Sequence, residues 1–229
     1  MRRRYGFVLF ISLVTLCLMF IVLTGMAQSD ESLNQSFLKA IYAKDLSRME
    51  QLLKEGVDIN APIREDLPPL AEAASLGDIA VVDFLFKKGA KVEGTKAKPN
   101  APIFFAIIKN NIEIVKRFLD LGVSPNYAWP ERNSGTLLIE ATQCGQLDLV
   151  QLLVQRGADI NFTGNSDYSP LYYSIIQDQF DIYKFLLSKG ACLNEQDKQT
   201  LSDVKWNKNE KTKRYIQLLQ KHQKCNNKK

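Results

Sequence analysis

Histidine is almost missing from this chain of 229 residues; the single copy is His222. Serine or cysteine hydrolases and most zinc enzymes need an imidazole inside the folded body, and this one sits in a lysine-rich tail. No catalytic residue is therefore assigned. There is no CxxC pair, no HExxH and no glycine-rich phosphate loop, so neither a metal nor a nucleotide cofactor is expected. The neighbouring carboxylates Glu65 and Asp66 fall in a predicted loop tip, where a solvated turn explains them better than an acid/base pair.

Cysteine is scarce too. Beyond Cys17 there are Cys144, Cys192 and Cys225. A Cys192–Cys225 bridge in an oxidising compartment would staple the tail to the body. Their separation of 33 residues nevertheless puts them in nearly equivalent places of successive units, about 8–10 Å apart where a disulfide needs its Cα atoms within about 7 Å, so the pairing stays open.

Only one long apolar run exists. Phe7 to Leu23 (FVLFISLVTLCLMFIVL) has no charge, follows Arg2, Arg3 and Arg4, and leads into Thr24-Gly25-Met26-Ala27. Residues 1–27 read as an export leader that keeps its arginines inside and sends the rest out of the cytoplasm. Two outcomes stay open: cleavage after Ala27, giving a periplasmic or secreted protein, or retention as an inner-membrane anchor facing the periplasm, with membrane contact only through residues 7–27.

Charge is divided along the chain. Residues 28–197 carry seventeen basic and twenty-three acidic residues, a net −6, whereas residues 198–229 hold ten lysines and arginines against Asp203 and Glu210. A folded body of negative sign excludes a phosphate-backbone reader, so no nucleic acid partner is expected.

Repetition is what the chain has in abundance. GVDIN, GAKVE, GVSPN, GADIN and GACLN begin at Gly56, Gly89, Gly122, Gly157 and Gly190, separated by 33, 33, 35 and 33 residues. Ahead of these come PPLAEAASLGDIAVVDFLFKKGA from Pro68, APIFFAIIKNNIEIVKRFLDLGV from Ala101, TLLIEATQCGQLDLVQLLVQRGA from Thr136 and SPLYYSIIQDQFDIYKFLLSKGA from Ser169, with a less regular QSFLKAIYAKDLSRMEQLLKEGV from Gln35. Each unit has a small residue at its sixth position (Ala40, Ala73, Ala106, Ala141, Ser174) and a second apolar pattern at helical spacing, such as Leu149, Val150 and Leu153. The spacing predicts two helices per unit, ended by a glycine that can turn left-handed.

This pattern resembles the ankyrin repeat family, whose unit opens T-P-L-H-x-A and closes G-A-D-x-N. The resemblance implies an all-α solenoid of about five repeats, near 35–67, 68–100, 101–135, 136–168 and 169–197, with a degenerate basic cap over 198–229. The histidine of T-P-L-H is absent, its places holding Ala71, Phe104, Ile139 and Tyr172, so apolar packing is expected in place of a polar tie.

Proteins of that family bind other proteins along loop fingers and first helices. The resemblance thus implies a partner-binding set of Phe105, Ile108, Tyr127, Trp129, Tyr168, Tyr173 and Ile176, where the fifth and eighth positions of the first helices and the fingers carry large apolar groups. The fifth and eighth positions of the second unit are Glu72 and Ser75. The expected protein is a monomeric, non-enzymatic binder, exported and of bacterial type, acting as an inhibitor or helper of an envelope or secreted enzyme. A membrane-tethered scaffold is the alternative, and a hydrolase with an unrecognised site a remote third.

Overall fold

The computed structural model describes residues 33–64, 67–92, 101–128, 135–203 and 210–221. These contain twelve helices and, among the described residues, no strand: α1 (33–42), α2 (Leu46–Lys54), α3 (Pro69–Leu76), α4 (Ile79–Lys87), α5 (Pro102–Ile108), α6 (Ile112–Asp120), α7 (Leu137–Gln143), α8 (Leu147–Gln155), α9 (Pro170–Ile176), α10 (Phe180–Ser188), α11 (Glu195–Asp203) and α12 (Glu210–Lys221). The leader lies outside the described residues, among which no helix is long and apolar enough to cross a membrane. The chain divides into two compact units, residues 1–69 and 70–229.

In the first unit, Phe37, Leu38 and Ile41 of α1 are buried, as are Met49 and Leu52 of α2. The Asp45 carboxylate accepts the Arg48 N–H at 2.9 Å, satisfying one donor that the first turn of α2 cannot pair internally. Past α2 the chain doubles back, with the Ile63 N–H donating to the Leu67 carbonyl at 2.9 Å.

The second unit has a layer of inner helices, α3, α5, α7 and α9, and a layer of outer helices, α4, α6, α8 and α10. Side-by-side contacts join α5 to α7 and α7 to α9 inside, and α4, α6, α8 and α10 in turn outside. Close approach of the inner helices follows from the small sixth residues: Ala73, Ala106, Ala141 and Ser174 are wholly buried. Helix starts are explicit in the sequence. Thr136 and Ser169 accept the N–H groups of Ile139 and Tyr172, and Pro102 and Pro170 sit at first helical positions, where a missing N–H costs nothing. The places of the family's histidine, Ala71, Phe104, Ile139 and Tyr172, are all buried.

Each outer helix stops on the repeated glycine. At Gly157 φ is +89°, and the next N–H, from Ala158, donates to the Leu153 carbonyl at 2.9 Å, closing the helix end. Space is not the constraint there, because a Cβ at Gly157 would meet nothing within 4 Å; the backbone conformation is.

Successive pairs are joined in three ways. Amides heading the outer helices reach back to the preceding inner helix: the Asn111 side chain donates to the carbonyls of Ala74 (2.9 Å) and Ser75 (3.1 Å), Gln146 to Ile107 (2.7 Å), and Gln179 to Gln143 (3.4 Å). Asp78 at the equivalent place has no N–H to give and caps its own helix through Val81 instead. On the outer layer, ion pairs Arg117–Asp83 and Arg156–Asp120, both 2.6 Å, step from one helix to the next. In the turns, Asn126 accepts the Asp159 N–H at 2.7 Å and Asn161 accepts the Cys192 N–H at 2.8 Å, so the last letter of GVSPN and GADIN also binds the following turn.

The pair α11 and α12 closes the second unit. Its anchor is the buried Tyr215, while Leu218 and Leu219 are only half-buried. Tyr215 meets Tyr183 edge-on at 4.7 Å, its carbonyl accepts the Tyr183 hydroxyl at 2.8 Å, and its own hydroxyl donates to Asp178 at 3.0 Å. Asp197 of α11 is fully buried and accepts the N–H groups of Ser169 and Asn194; burial raises its carboxyl above the ordinary value, with those bonds pulling the other way. Cys192 is disulfide-bonded, and Cys225 lies outside the described residues.

Candidate functional site

The inner helices repeat one burial pattern. In α5 every residue is buried except Phe105 and Ile108, in α7 every residue except Glu140 and Gln143, and in α9 every residue except Tyr173 and Ile176. A separation of three residues keeps each pair on one helical face, and the side-by-side packing sets the three pairs in a row. Ile108 and Ile176 are 43% and 42% exposed, while Phe105 and Tyr173 are half-buried. Large apolar groups held out in this way gain by being covered, at about 25 cal/mol for each Å² removed from water.

The finger residues distribute differently. Tyr127 is half-buried with its ring 5.9 Å from that of Phe104, and its carbonyl accepts the Leu137 N–H, so it supports the base of the third finger, the loop from Tyr127 to Gly135. Trp129 lies outside the described residues. Tyr168 stacks on Tyr172 at 4.4 Å and meets Tyr173 edge-on at 6.3 Å, while the Tyr173 hydroxyl shares a 3.2 Å hydrogen bond with Ser166. Tyr168, Tyr173 and Ile176 therefore gather at the α9 end of the row, Phe105 and Ile108 occupy the α5 end, and a polar pair separates them.

The pattern misplaced Glu72. Expected on this face, it is only 3% exposed, while Ser75 at the eighth position is half-buried as expected and Leu76 beyond it is exposed. The polar centre of the row also went unassigned in the sequence. Glu140 projects its charge onto Cys144, whose thiol is raised by partial burial first and by that carboxylate second. Burial likewise raises the Tyr172 phenol, with Tyr168 and Asp197 adding to it. Among the described residues no group of three or more histidine, cysteine, aspartate or glutamate side chains could hold a metal ion.

Comparison with known proteins agrees with this geometry. The family model described as ankyrin repeats (3 copies) matches residues 37–128 and 104–197. An ankyrin repeat and KH domain-containing protein of Caenorhabditis briggsae is 31% identical over 151 residues, covering 65% of this chain and 5% of that protein. An ankyrin repeat, SAM and basic leucine zipper domain-containing protein of Dasypus novemcinctus is 30% identical over 60% of this chain and 29% of its own length. Alpha-latrocrustotoxin of Latrodectus tredecimguttatus is 28% identical over 61% and 10%. The chain thus spans less than a third of these relatives, and the likeness lies in the repeats. With paired helices, a left-turning glycine at each unit's end and a family match running from residue 37 to residue 197, the chain belongs to the ankyrin repeat family.

Proposed function

We propose that this protein works by holding another protein against the open face of α5, α7 and α9 and the adjoining fingers, and catalyses nothing itself. One observation carries the reading: each of these helices leaves two side chains uncovered, and four of the six are Phe105, Ile108, Tyr173 and Ile176. Aromatic and branched apolar groups at such positions are the type that dominates protein interfaces.

From the leader-like residues 1–27 we infer that binding takes place outside the cytoplasm, in a bacterial envelope or beyond it, and an inhibitor or helper of an envelope or secreted enzyme is the role that fits a small exported binder. The relatives named above are animal proteins, so the bacterial source rests on the short leader and the compact array of repeats and not on the comparisons. If the leader is retained as an anchor, the same face serves a membrane-tethered scaffold.

The test is affinity capture from the native envelope fraction with wild-type protein and with Ile108→Glu and Ile176→Glu. Both isoleucines are exposed, so the melting curve should hold while the captured partner falls by about tenfold or more. Equal capture by all three proteins would move the site off this face, and intact mass of the mature protein separates the cleaved form from the tethered one.

A further inference from the structure

We infer that Cys192 is bonded to Cys225, and that this pair is a site of oxidative modification whose disulfide latches the carboxy-terminal cap onto the last repeat. The inference is independent of what the open face of α5, α7 and α9 binds.

Elimination narrows the partner. The chain has four cysteines. Cys144 is a free thiol whereas Cys192 is disulfide-bonded, which leaves Cys17 and Cys225 as the sulfur on the other side. Cys17 lies within the apolar run of residues 7–23, where cleavage after Ala27 would remove it and a bilayer would hold it away from the repeats.

Register selects Cys225. Phe180 and Tyr183, in the first half of α10, meet Arg214 and Tyr215, in the first half of α12: the Arg214 guanidinium lies 4.5 Å from the Phe180 ring centroid, and the Tyr183 hydroxyl donates to the Tyr215 carbonyl at 2.8 Å. The two helices thus run in the same direction, and their ends match, since α10 stops at Ser188 and α12 at Lys221, 33 residues on. Cys192 is the fourth residue past the one end and Cys225 the fourth past the other. Packed helices stand about 8–10 Å apart, too far for a disulfide, but that spacing binds only the helices themselves. In the turns beyond them one side chain spans the step between successive units, as Asn126 does to the Asp159 N–H at 2.7 Å and Asn161 to the Cys192 N–H at 2.8 Å.

The cap gains from a covalent tie. Between the last repeat and the pair α11 and α12 lies a cavity of about 240 Å³, lined among others by Ile175, Tyr183, Leu193, Leu201, Ile216 and Leu219, so the apolar packing there is incomplete. A terminal unit also has a neighbour on one side alone. Forming the bond takes one proton and one electron from each thiol and delivers them to an acceptor disulfide, which leaves as two thiols. In an oxidising compartment a thiol–disulfide oxidoreductase supplies that acceptor.

The test equilibrates the full chain with a mixture of oxidised and reduced glutathione, alkylates it with iodoacetamide after denaturation, and maps the tryptic peptides by mass. Gly190–Lys198 should be found joined to Cys225–Lys228, with Cys144 alkylated, and Cys225→Ser should leave Cys192 without an intrachain bond. Dithiothreitol should lower the melting temperature of the wild type by about 5 °C or more and leave that of Cys225→Ser where it is, at the reduced value. Cys192 joined to Cys17, to glutathione or to a second copy of the chain would overturn the inference, and so would Cys192 remaining a thiol or a wild-type melting temperature indifferent to dithiothreitol.

Discussion

The inner and outer layers of the second unit are stitched by different chemistry, and the contrast separates what holds the repeats together from what decorates them. Inside, helices of seven or eight residues are buried on nearly every side, and amides from Asn111, Gln146 and Gln179 satisfy carbonyls at the ends of the preceding inner helices. Outside, nine-residue helices bury one stripe each, Val81, Val82 and Leu85 in α4 for example, and meet through Arg117–Asp83 and Arg156–Asp120, whose charged ends stay open to water. A carbonyl robbed of its donor in a part-buried place has little to replace it; a charge on the rim has solvent and salt. Register between repeats is accordingly set on the side of the inner helices.

The contrast can be broken hardest at the fingers. Gly135→Val should give the largest loss, because φ there is +82° and a Cβ would lie 2.8 Å from the Thr163 carbonyl; a drop of about 3 kcal/mol or more in urea unfolding is expected. Next comes Asn111→Ala, which leaves the Ala74 and Ser75 carbonyls without their donor and should lower stability by about 1–3 kcal/mol, with Asn111→Gln recovering part of it. Arg117→Ala should shift the melting temperature less than Asn111→Ala does, and raising the salt concentration should shrink the difference from wild type; an effect larger than that of Asn111→Ala would invert the roles of the two layers. Smallest is a rate. The Cys144 thiol, raised by partial desolvation at an otherwise exposed residue and by Glu140, carries less thiolate at neutral pH than an ordinary cysteine and should react sluggishly with iodoacetamide, with Glu140→Gln speeding it modestly.

Much of this was open to reading from the residues alone. The 33-residue period, the stripes of the second helices and the solvent face of α5, α7 and α9 all follow from helical spacing, and the fifth and eighth positions stayed open as that spacing implied. What escaped were features that depend on a neighbouring repeat. Nothing local to Asn111, Gln146 or Gln179 says that their amides point backwards, although their recurrence at one place in three successive units, where aspartate stands in the two earlier ones, was a signal available to alignment of the chain with itself. The burial of Glu72 is not written in the period either, since the same fifth position is left open in α5, α7 and α9. The anchoring of the cap by Tyr215 was not legible because the cap is irregular, and an aromatic ring with a polar tip suits a site lined by Tyr183, Phe180 and Asp178. Trp129 and the finger tip around it lie outside the described residues.

The third finger and the fourth, from Phe162 to Tyr168, meet at their roots. A Cβ at Gly135 would run into the Thr163 carbonyl, and one at Gly164 would crowd the Gly135 backbone at 3.1 Å, so neither loop base can thicken without displacing the other. Any redesign of these loops must therefore spare both glycines, since a single methyl group on either would push the two stretches of bare backbone apart.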